Sequence, residues 1–324
     1  MPLLLLVLLA LGCGSPRTPE RTLTVFNAGS LARPMRAVLD TFARREGVRI
    51  AQENAGSLET ARKLTELGKI PDIIALADAD VFPQYLVPTH VAGYTLFARN
   101  RMVVAYTDRS RHAAEMSTAT WAEILTRSDV EVGRSDPELD PNGYRTLMVW
   151  QLAERVRNAP GLAARLEERS GARNVRPKEA DLVGLLEAGE FDYIWSYESM
   201  AKAIGFRYVL LGDSVDLSQP ALAQLYRTAS VSVRGALAGS RVTFVGAPIV
   251  YAFAVPRDAP EPALAQRFSD FLVSTEGKEI LRREGLDALD LPEVVTGTLR
   301  SGMLATAAAG AAVTTRDRMS HARP

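Results

Sequence analysis

The amino-acid sequence predicts an α/β protein that is divided into two lobes. Short β-rich runs alternate with amphipathic helical patterns, which is typical of an α/β unit with a largely parallel sheet. The 324 residues suffice for two compact units, because a domain usually takes about 100–200 residues. A second block of α/β character begins with a long strand pattern at residues 248–255, which indicates that the chain returns to the first lobe.

The first lobe opens with strand patterns that lead into helices. The predicted strands lie at residues 23–26, 48–50 and 72–76. Apolar residues with helical spacing predict helices at residues 31–42 and 58–67, and Gly68 closes the second. Together with a late strand and the helices that follow it, residues 22–104 and 247–300 are assigned to this lobe.

The second lobe begins after a strand pattern at residues 101–106. It contains a long amphipathic helix at residues 142–158, a helix at 182–188 and a strand at 192–195. We assign residues 105–246 to this lobe, so the chain crosses between the lobes near Val104 and near Ile249. Residues 301–324 show no sustained pattern and are predicted to form a disordered tail.

The N-terminus has the pattern of an export signal. Residues 3–11 are almost wholly apolar, too short for a bilayer span of about 20 residues but typical of a signal-peptide core. The run ends at Gly12-Cys13, as in a bacterial lipobox, although no Lys or Arg precedes it and Ala10 stands where Leu is usual. We therefore predict that residues 1–21 are a signal and lipid anchor attached at Cys13. The alternative is an ordinary cleaved signal with an incidental cysteine, and either places the mature protein outside the cytoplasm.

Composition excludes several classes of protein. Lys+Arg and Asp+Glu are equal at 38 each, so the basic footprint of a nucleic-acid-binding protein is missing. A single cysteine forbids an internal disulfide, and the three histidines are too far apart for metal-ligand spacing. Nothing in the sequence requires an oligomer, so a monomer is the default expectation.

Two Gly-Ser pairs follow consecutive strands and open helices. They are Gly29-Ser30 and Gly56-Ser57. A helix start offers unpaired N–H groups and a partial positive charge, glycine permits close approach to the backbone, and serine adds a hydroxyl donor. This combination predicts an oxyanion site that uses no formal positive charge. The alternative for both serines is that they are simple helix N-caps.

Three further residues are candidates for the same site. Asp140-Pro141 has the sequence of a helix N-cap followed by proline at the first helical position, which by itself explains the aspartate. Glu179 precedes a helix and has the alternative of a solvated first-turn acid. Tyr197 ends a strand and is either a cleft residue or a half-buried core aromatic.

Taken together, these segments resemble the archaeal-type molybdate/tungstate-binding proteins. The resemblance extends over about residues 22–289 and is carried by Val25-Phe26-Asn27-Ala28-Gly29-Ser30-Leu31, Asn54-Ala55-Gly56-Ser57, Gly133-Arg134-Ser135-Asp136-Pro137, Asp140-Pro141-Asn142-Gly143-Tyr144-Arg145, Gly189-Glu190-Phe191-Asp192-Tyr193 and Gly246-Ala247-Pro248-Ile249-Val250-Tyr251. The Asp-Pro-x-Gly-Tyr-Arg segment is the most specific of these motifs. Asn142 replaces a cysteine that is often found there, and Asn27 stands where histidine is common.

The resemblance implies a type II-like periplasmic-binding-protein fold, in which each lobe is a mixed sheet flanked by helices and the ligand binds in the interlobe cleft. It implies a solute-binding lipoprotein that serves an ABC permease and ATPase, without catalysis or cofactor. By residue, it implies hydrogen bonds to the oxyanion from Gly29, Ser30 and Ser57. It also implies that Asp140, Pro141, Asn142 and Tyr197 line the site, and that Asp140 and Glu179 ligate the metal of the bound oxyanion.

Two acids facing a dianion restrict the ligand. Repulsion in a partly desolvated cleft costs on the order of several kcal/mol. Mo(VI) and W(VI) can accept additional oxygen ligands, so that a carboxylate bonds the metal, whereas the sulfur of sulfate cannot. The alternatives are a binding protein for sulfate, phosphate or ferric iron, and an enzyme that uses Asp140 and Glu179 as an acid–base pair.

Overall fold

The computed structural model of the protein describes residues 21–297. The strands of this part are β1 (Thr22–Ala28), β2 (Arg49–Ala55), β3 (Ile73–Leu76), β4 (Gly93–Arg99), β5 (Met102–Tyr106), β6 (Val132–Ser135), β7 (Val175–Arg176), β8 (Tyr193–Tyr197), β9 (Arg207–Leu210), β10 (Ser230–Arg234), β11 (Arg241–Val245), β12 (Val250–Ala254) and β13 (Asp287–Thr296). The helices are α1 (Ala32–Glu46), α2 (Ser57–Thr65), α3 (Trp121–Ile124), α4 (Pro141–Val156), α5 (Leu162–Arg169), α6 (Ala180–Ala188), α7 (Glu198–Ile204), α8 (Ala223–Tyr226), α9 (Pro262–Leu272) and α10 (Thr275–Arg283).

A six-stranded mixed sheet forms the first lobe. Its strand order is β13-β4-β12-β3-β1-β2. β1 runs parallel to β2 and β3, whereas β12 is antiparallel to β3 and β4, and β13 is antiparallel to β4. The prediction of a largely parallel sheet is therefore wrong for three of the five strand pairings in this sheet. β12 enters from the second lobe and not through a helical crossover from β3, so nothing forces it to run parallel.

Helix α1 shows how the sequence pattern builds this lobe. Its apolar side chains recur every three or four residues, so Met35, Val38, Leu39 and Phe42 share one face and are buried. Phe42 meets Phe268 of α9 edge to face, with ring centroids 5.2 Å apart. This packing holds α1 and α9 together and leaves the N-terminal end of α1 at the edge where the strands end.

A five-stranded sheet in the order β7-β6-β8-β5-β9 forms the second lobe. Alternate residues of β5 face opposite sides, as expected for a strand. Val103 and Ala105 pack into an apolar cluster with Leu182 of α6, while Val104 faces the main core. On that side, Trp195 of β8 meets Trp150 of α4 with ring centroids 5.9 Å apart. Both faces of the sheet are thus covered by helices, which confirms the predicted two-lobed α/β fold.

The crossing between the sheets differs from the prediction. β4 ends at Arg99 in the first sheet, and β5, which starts at Met102, pairs with β8 and β9 in the second. Residues 102–104, which were assigned to the first lobe, therefore lie in the second sheet. Strand pairing, and not the apolar pattern, decides which sheet the strand joins. The return crossing lies between Val245 and Val250, which includes Ile249.

Two predicted segments lie outside the described residues. They are the signal and lipid anchor with Cys13 and the tail at residues 301–324. Within residues 21–297, no helix has the length and apolar character that crossing a bilayer requires.

Candidate functional site

The first Gly-Ser pair lies where β1 gives way to a helix. Residues Gly29–Leu31 form a 3-10 turn before α1, and the Ser30 side chain caps neither. Its hydroxyl lies 2.9 Å from the hydroxyl of Tyr251, which also accepts a hydrogen bond from Asn100 Nδ2 at 2.9 Å. If Tyr251 donates its proton to Ser30, the Ser30 proton is free for a third partner.

The second Gly-Ser pair has a similar position but different bonds. Gly56 is the N-cap of α2, and the Ser57 side chain is not used as a cap. Ser57 Oγ accepts a hydrogen bond from the Ala77 backbone N–H at 3.0 Å, so its own proton can be donated elsewhere. The simple N-cap interpretation is therefore wrong for Ser57, as it is for Ser30.

The first amides of α2 are engaged by the other lobe. The N–H groups of Leu58 and Glu59 donate to the carbonyl oxygen of Leu139, at 3.1 and 3.3 Å. Leu139 directly precedes α4, so this contact closes the two lobes against each other. These two amides of α2 are consequently not available to a ligand in this arrangement.

Asp140 caps α4 and also accepts a hydrogen bond from the backbone of Glu179. Its Oδ1 accepts the Asn142 N–H at 3.3 Å, as the N-cap interpretation predicts, with Pro141 at the first helical position. Its Oδ2 accepts the Glu179 N–H at 2.8 Å. A side chain at Gly143 would lie 2.6 Å from backbone atoms of Asp136 and Pro137, so glycine lets this turn pack against the start of α4.

Glu179 is a buried acid, only 1% exposed, and the solvated interpretation is wrong. Oε1 accepts two short bonds of 2.6 Å, from Ser196 Oγ and the Tyr197 N–H. Oε2 is buried and has no hydrogen-bond partner in the described part of the chain. Burial is the main cause that raises the pKa of Glu179 to about 8, and the charge of Asp140 adds to it while the Ser196 bond opposes it.

Asn142 supplies the opposite kind of unpaired group. The residue is fully buried, and its Oδ1 accepts a hydrogen bond from Ser135 Oγ at 3.1 Å. Its Nδ2 has no partner among residues 21–297. The site therefore contains one buried acceptor and one buried donor, Glu179 Oε2 and Asn142 Nδ2, that other side chains leave unsatisfied.

Tyr197 joins the site to a buried ion pair. Its hydroxyl accepts from Arg145 Nη1 at 2.8 Å and keeps its own proton for donation. Arg145 Nη2 lies 3.0 Å from Asp78 Oδ2, and Arg145 Nη1 also donates to the Ala77 carbonyl at 2.7 Å. Tyr197 is fully buried and not the half-buried aromatic of the alternative.

The predicted residues converge although they come from both lobes. Ala180 and Lys178, the neighbours of Glu179, approach Gly29 to within 4 Å of where its side chain would begin. The Tyr197 and Tyr251 rings meet edge to face at 5.9 Å, and Tyr251 reaches Ser30. Sequence reasoning assigned no role to Tyr251, Arg145, Ser135 or Ser196. Tyr251 and Arg145 lay in segments that carried the resemblance, which was the available signal.

Electrostatics distinguish this site from an ordinary anion site. Burial raises the pKa of Asp140 to about 6, against the lowering effect of the Glu179 and Asn142 N–H groups. The hydroxyl and amide groups around the acids are neutral. Among residues 21–297, no group of three or more His, Cys, Asp or Glu side chains could hold a metal ion.

Two α/β lobes joined by two short crossings, with buried polar groups where the lobes meet, have the architecture of a two-lobed solute-binding protein. The chain belongs to the bacterial extracellular solute-binding protein family, which it matches over residues 23–287. It is therefore the solute-binding component of an ABC importer that works with a permease and an ATPase. It is a transport protein and not an enzyme, and its family indicates no cofactor.

Similar proteins narrow the class further. The chain is 40% identical over 274 residues to an uncharacterized solute-binding protein of Petrotoga mobilis, covering 84% of this chain and 85% of that one. It is 36% identical over 321 residues to the molybdate/tungstate-binding protein WtpA of Pyrococcus abyssi, covering 89% and 92%. The sulfate-binding protein SubI of Mycobacterium tuberculosis H37Rv has the same fold, with a TM-score of 0.60 at 14% identity over 84% of this chain and 88% of that one.

Proposed function

We propose that the protein binds molybdate or tungstate between its lobes and delivers it to the permease. The observation that carries the proposal is the buried oxygen Oε2 of Glu179, which has no partner in the described residues. The backbone N–H of the same residue donates to a second buried acid, Asp140. The Pyrococcus abyssi relative, named for molybdate and tungstate, supports the same ligand.

The argument depends on what a carboxylate can do for each anion. In their ionised forms, Glu179 and Asp140 would repel sulfate, because sulfur in sulfate accepts no further oxygen ligand. Mo(VI) and W(VI) can expand from four to six oxygen ligands, so Glu179 and Asp140 can bond the metal centre. The repulsion is then replaced by coordination, and the acids discriminate between two anions of the same charge.

The neutral groups of the site have the polarity that the oxo groups need. Ser57 and Tyr197 each accept a bond from within the protein and retain a proton to donate. Ser30 can do the same through Tyr251. Gly29 leaves room for the anion at the backbone, and Pro141 and Asn142 place the start of α4 against it.

A protonated anion is a second candidate. Hydrogen phosphate carries one O–H group, which could donate to Glu179 Oε2 and satisfy that atom without metal coordination. The distinguishing property is the ligand's own proton: this candidate requires an acidic O–H group on the ligand, and tungstate and sulfate carry none at neutral pH.

We also propose how the protein is organised around the site. Residues 22–100 with 250–297 and residues 102–245 move as two lobes about residues 100–101 and 246–249. The monomeric protein is held to the outer face of a membrane by lipid at Cys13. Mass spectrometry of the membrane-bound protein checks the anchor: an N-terminal peptide that starts at unmodified Cys13, or that retains residue 1, would contradict it.

Calorimetric titration of the purified protein with tungstate, molybdate, sulfate and phosphate tests the ligand. We expect the first two to bind at least about a thousandfold more tightly than sulfate, a difference of about 4 kcal/mol. Tight phosphate binding with silent tungstate would select the second candidate. Equal binding of sulfate and tungstate would overturn the coordination argument.

A further inference from the structure

A cavity of about 750 Å³ lies on the opposite side of strand β12 from the oxyanion site. Val250 lines the cavity, whereas its neighbour Tyr251 points to Ser30 in the oxyanion site. Successive side chains of a strand face opposite sides of its sheet, so β12 separates the two spaces. The volume is in the range of sites that bind small organic molecules.

The walls of the cavity are apolar and belong to both lobes. Leu96 comes from the first lobe, while Met148, Leu217 and Phe244 come from the second. All four are at most 4% exposed as residues, and Tyr144 stacks on Phe244 with ring centroids 4.7 Å apart. A ligand here would contact rigid, well-packed apolar surfaces.

The polar floor carries both signs of charge, because Asp78 and Asp80 line it together with Arg145 and Arg227. Asp80 lines the cavity, and its Oδ1 is buried without a partner in the described part of the chain. Burial, followed by repulsion from Asp78, raises the pKa of Asp80 to about 7, although Arg145 and Arg227 oppose the rise. Asp78 itself is already neutralised by Arg145. Asp80 Oδ1 is thus a carboxylate oxygen of this floor that still lacks a hydrogen-bond donor among residues 21–297.

We propose that the cavity is a second binding site, which takes a small organic ammonium ion with an apolar body. The ammonium group pairs with Asp80, and the body packs against Leu96, Met148 and Phe244. A neutral hydroxyl would satisfy the hydrogen bond but leave the desolvated charge of Asp80 uncompensated. A carboxylate ligand would be repelled by Asp80.

Occupancy of the cavity strengthens oxyanion binding. The cavity and the oxyanion site lie on opposite sides of β12, which starts at the return crossing between the lobes, so a rotation that opens one narrows the other. A molecule in the cavity therefore opposes opening of the oxyanion site. Arg145 connects the two spaces, because it lines the cavity and donates to the Tyr197 hydroxyl. This coupling rests on the proposed oxyanion function, but ammonium binding itself does not.

Hexylammonium is the probe for the first experiment, with 1-hexanol and hexanoate as controls of equal chain length. Titration of the full-length protein should give saturable binding of hexylammonium and none of hexanoate. Asp80→Asn should weaken hexylammonium at least about tenfold and leave tungstate affinity unchanged. Binding of hexanol as tight as that of hexylammonium, equal binding to Asp80→Asn, or no saturable binding would overturn the proposal.

The coupling is tested by titrating tungstate with and without saturating hexylammonium at constant ionic strength. We expect tungstate to bind about fivefold more tightly with the probe, and hexylammonium to gain the same factor from tungstate, because linkage is reciprocal. Ala223→Trp, which fills the cavity wall, should abolish hexylammonium binding and tighten tungstate. Unchanged or weakened tungstate binding overturns the coupling. If wild type binds no tungstate, the proposed function fails, and the direct hexylammonium titration still decides the cavity.

Discussion

Two sets of buried acids lie near each other between the lobes, and they differ in what satisfies them. Asp78 Oδ2 lies 3.0 Å from Arg145 Nη2 and accepts the Tyr144 hydroxyl at 2.5 Å, while Oδ1 accepts the Asp80 N–H at 2.9 Å. Glu179 and Asp140 receive only neutral donors, and no Lys, Arg or His nitrogen lies within ion-pair distance of either in residues 21–297.

The difference separates a structural ion pair, Arg145 with Asp78, from the two acids that we propose to bind the ligand. Burial of a charge is unfavourable in both places, but Arg145 neutralises Asp78 permanently and so joins the lobes. The acids at Glu179 and Asp140 retain their desolvation penalty in the free protein. Unsatisfied acids of this kind lower stability and are therefore expected where a ligand, and not the fold, supplies the missing interaction.

The largest expected effect comes from breaking the structural pair. Arg145→Met removes the cation and leaves Asp78 buried and unpaired, so we expect a loss of about 3–5 kcal/mol in the free energy of unfolding. Adding Asp78→Asn should recover a large part of it, because the stranded charge is then gone. Urea denaturation of both variants measures this. A double variant no more stable than Arg145→Met would show that packing, not charge, holds the pair.

Glu179, unlike the Arg145–Asp78 pair, should lower the stability of the folded protein as the pH rises. Its pKa is 4.5 as the ordinary value and about 8 when folded, so the unfolded chain releases the proton first. Stability is then lost as pH rises through this interval, by about 3 kcal/mol near pH 7. Glu179→Gln should remove that loss, so its stability relative to wild type grows from pH 5 to pH 8. Thermal unfolding across that range checks it, and a difference that is independent of pH would contradict a buried acid.

The same substitution should damage function. Glu179→Gln keeps the shape but cannot ligate a metal as a carboxylate, so tungstate affinity should fall at least about 100-fold, or about 2.7 kcal/mol. Sulfate affinity should change little, which narrows the gap between the anions. Asp181→Asn, which changes a partly exposed acid in the same first turn, is the matched control. A ratio of tungstate to sulfate affinity equal to that of wild type would remove the role of Glu179 in selection.

A smaller and different effect is expected at Asn142. Asn142→Asp replaces the unpaired Nδ2 donor with an acceptor, so all oxyanions should bind about tenfold less tightly. Tungstate and sulfate should weaken by the same factor, unlike in Glu179→Gln. Asn142→Cys is the milder companion variant and should be intermediate. If Asn142→Asp binds tungstate as well as wild type does, the Nδ2 group does not face the ligand.

Sequence reasoning found the parts of this site that local structure determines. Gly29-Ser30 and Gly56-Ser57 are strand–helix junctions, and Asp140-Pro141 is a helix start, so a few adjacent residues reveal each. The burial of Glu179 could not be derived in this way. A first-turn acid faces water unless distant residues cover it, and here Ser196, Tyr197 and the approach of the other lobe do so.

The errors in the fold prediction have the same origin, namely contacts between residues that are distant in the sequence. The apolar run at 101–106 predicts a strand correctly, but its partners β8 and β9 lie far along the chain, so its pattern does not reveal which sheet it joins. The antiparallel direction of β12 likewise depends on its entry from the other lobe. Arg145 was visible within a recognised motif, yet nothing local indicates Asp78 as its partner.

Gly56 sets how far the two lobes can approach. A methyl group at this position would lie 2.2 Å from the Leu139 carbonyl oxygen and 3.2 Å from the Asp140 Cα, both backbone atoms that cannot rotate away. Even the methyl group of alanine would hold the two lobes apart by roughly one atom's width at this contact. The gap between the lobes would widen with distance from the hinge. The absence of a Cβ atom at Gly56 therefore helps to determine the shape of the closed, ligand-bound protein that docks on the permease.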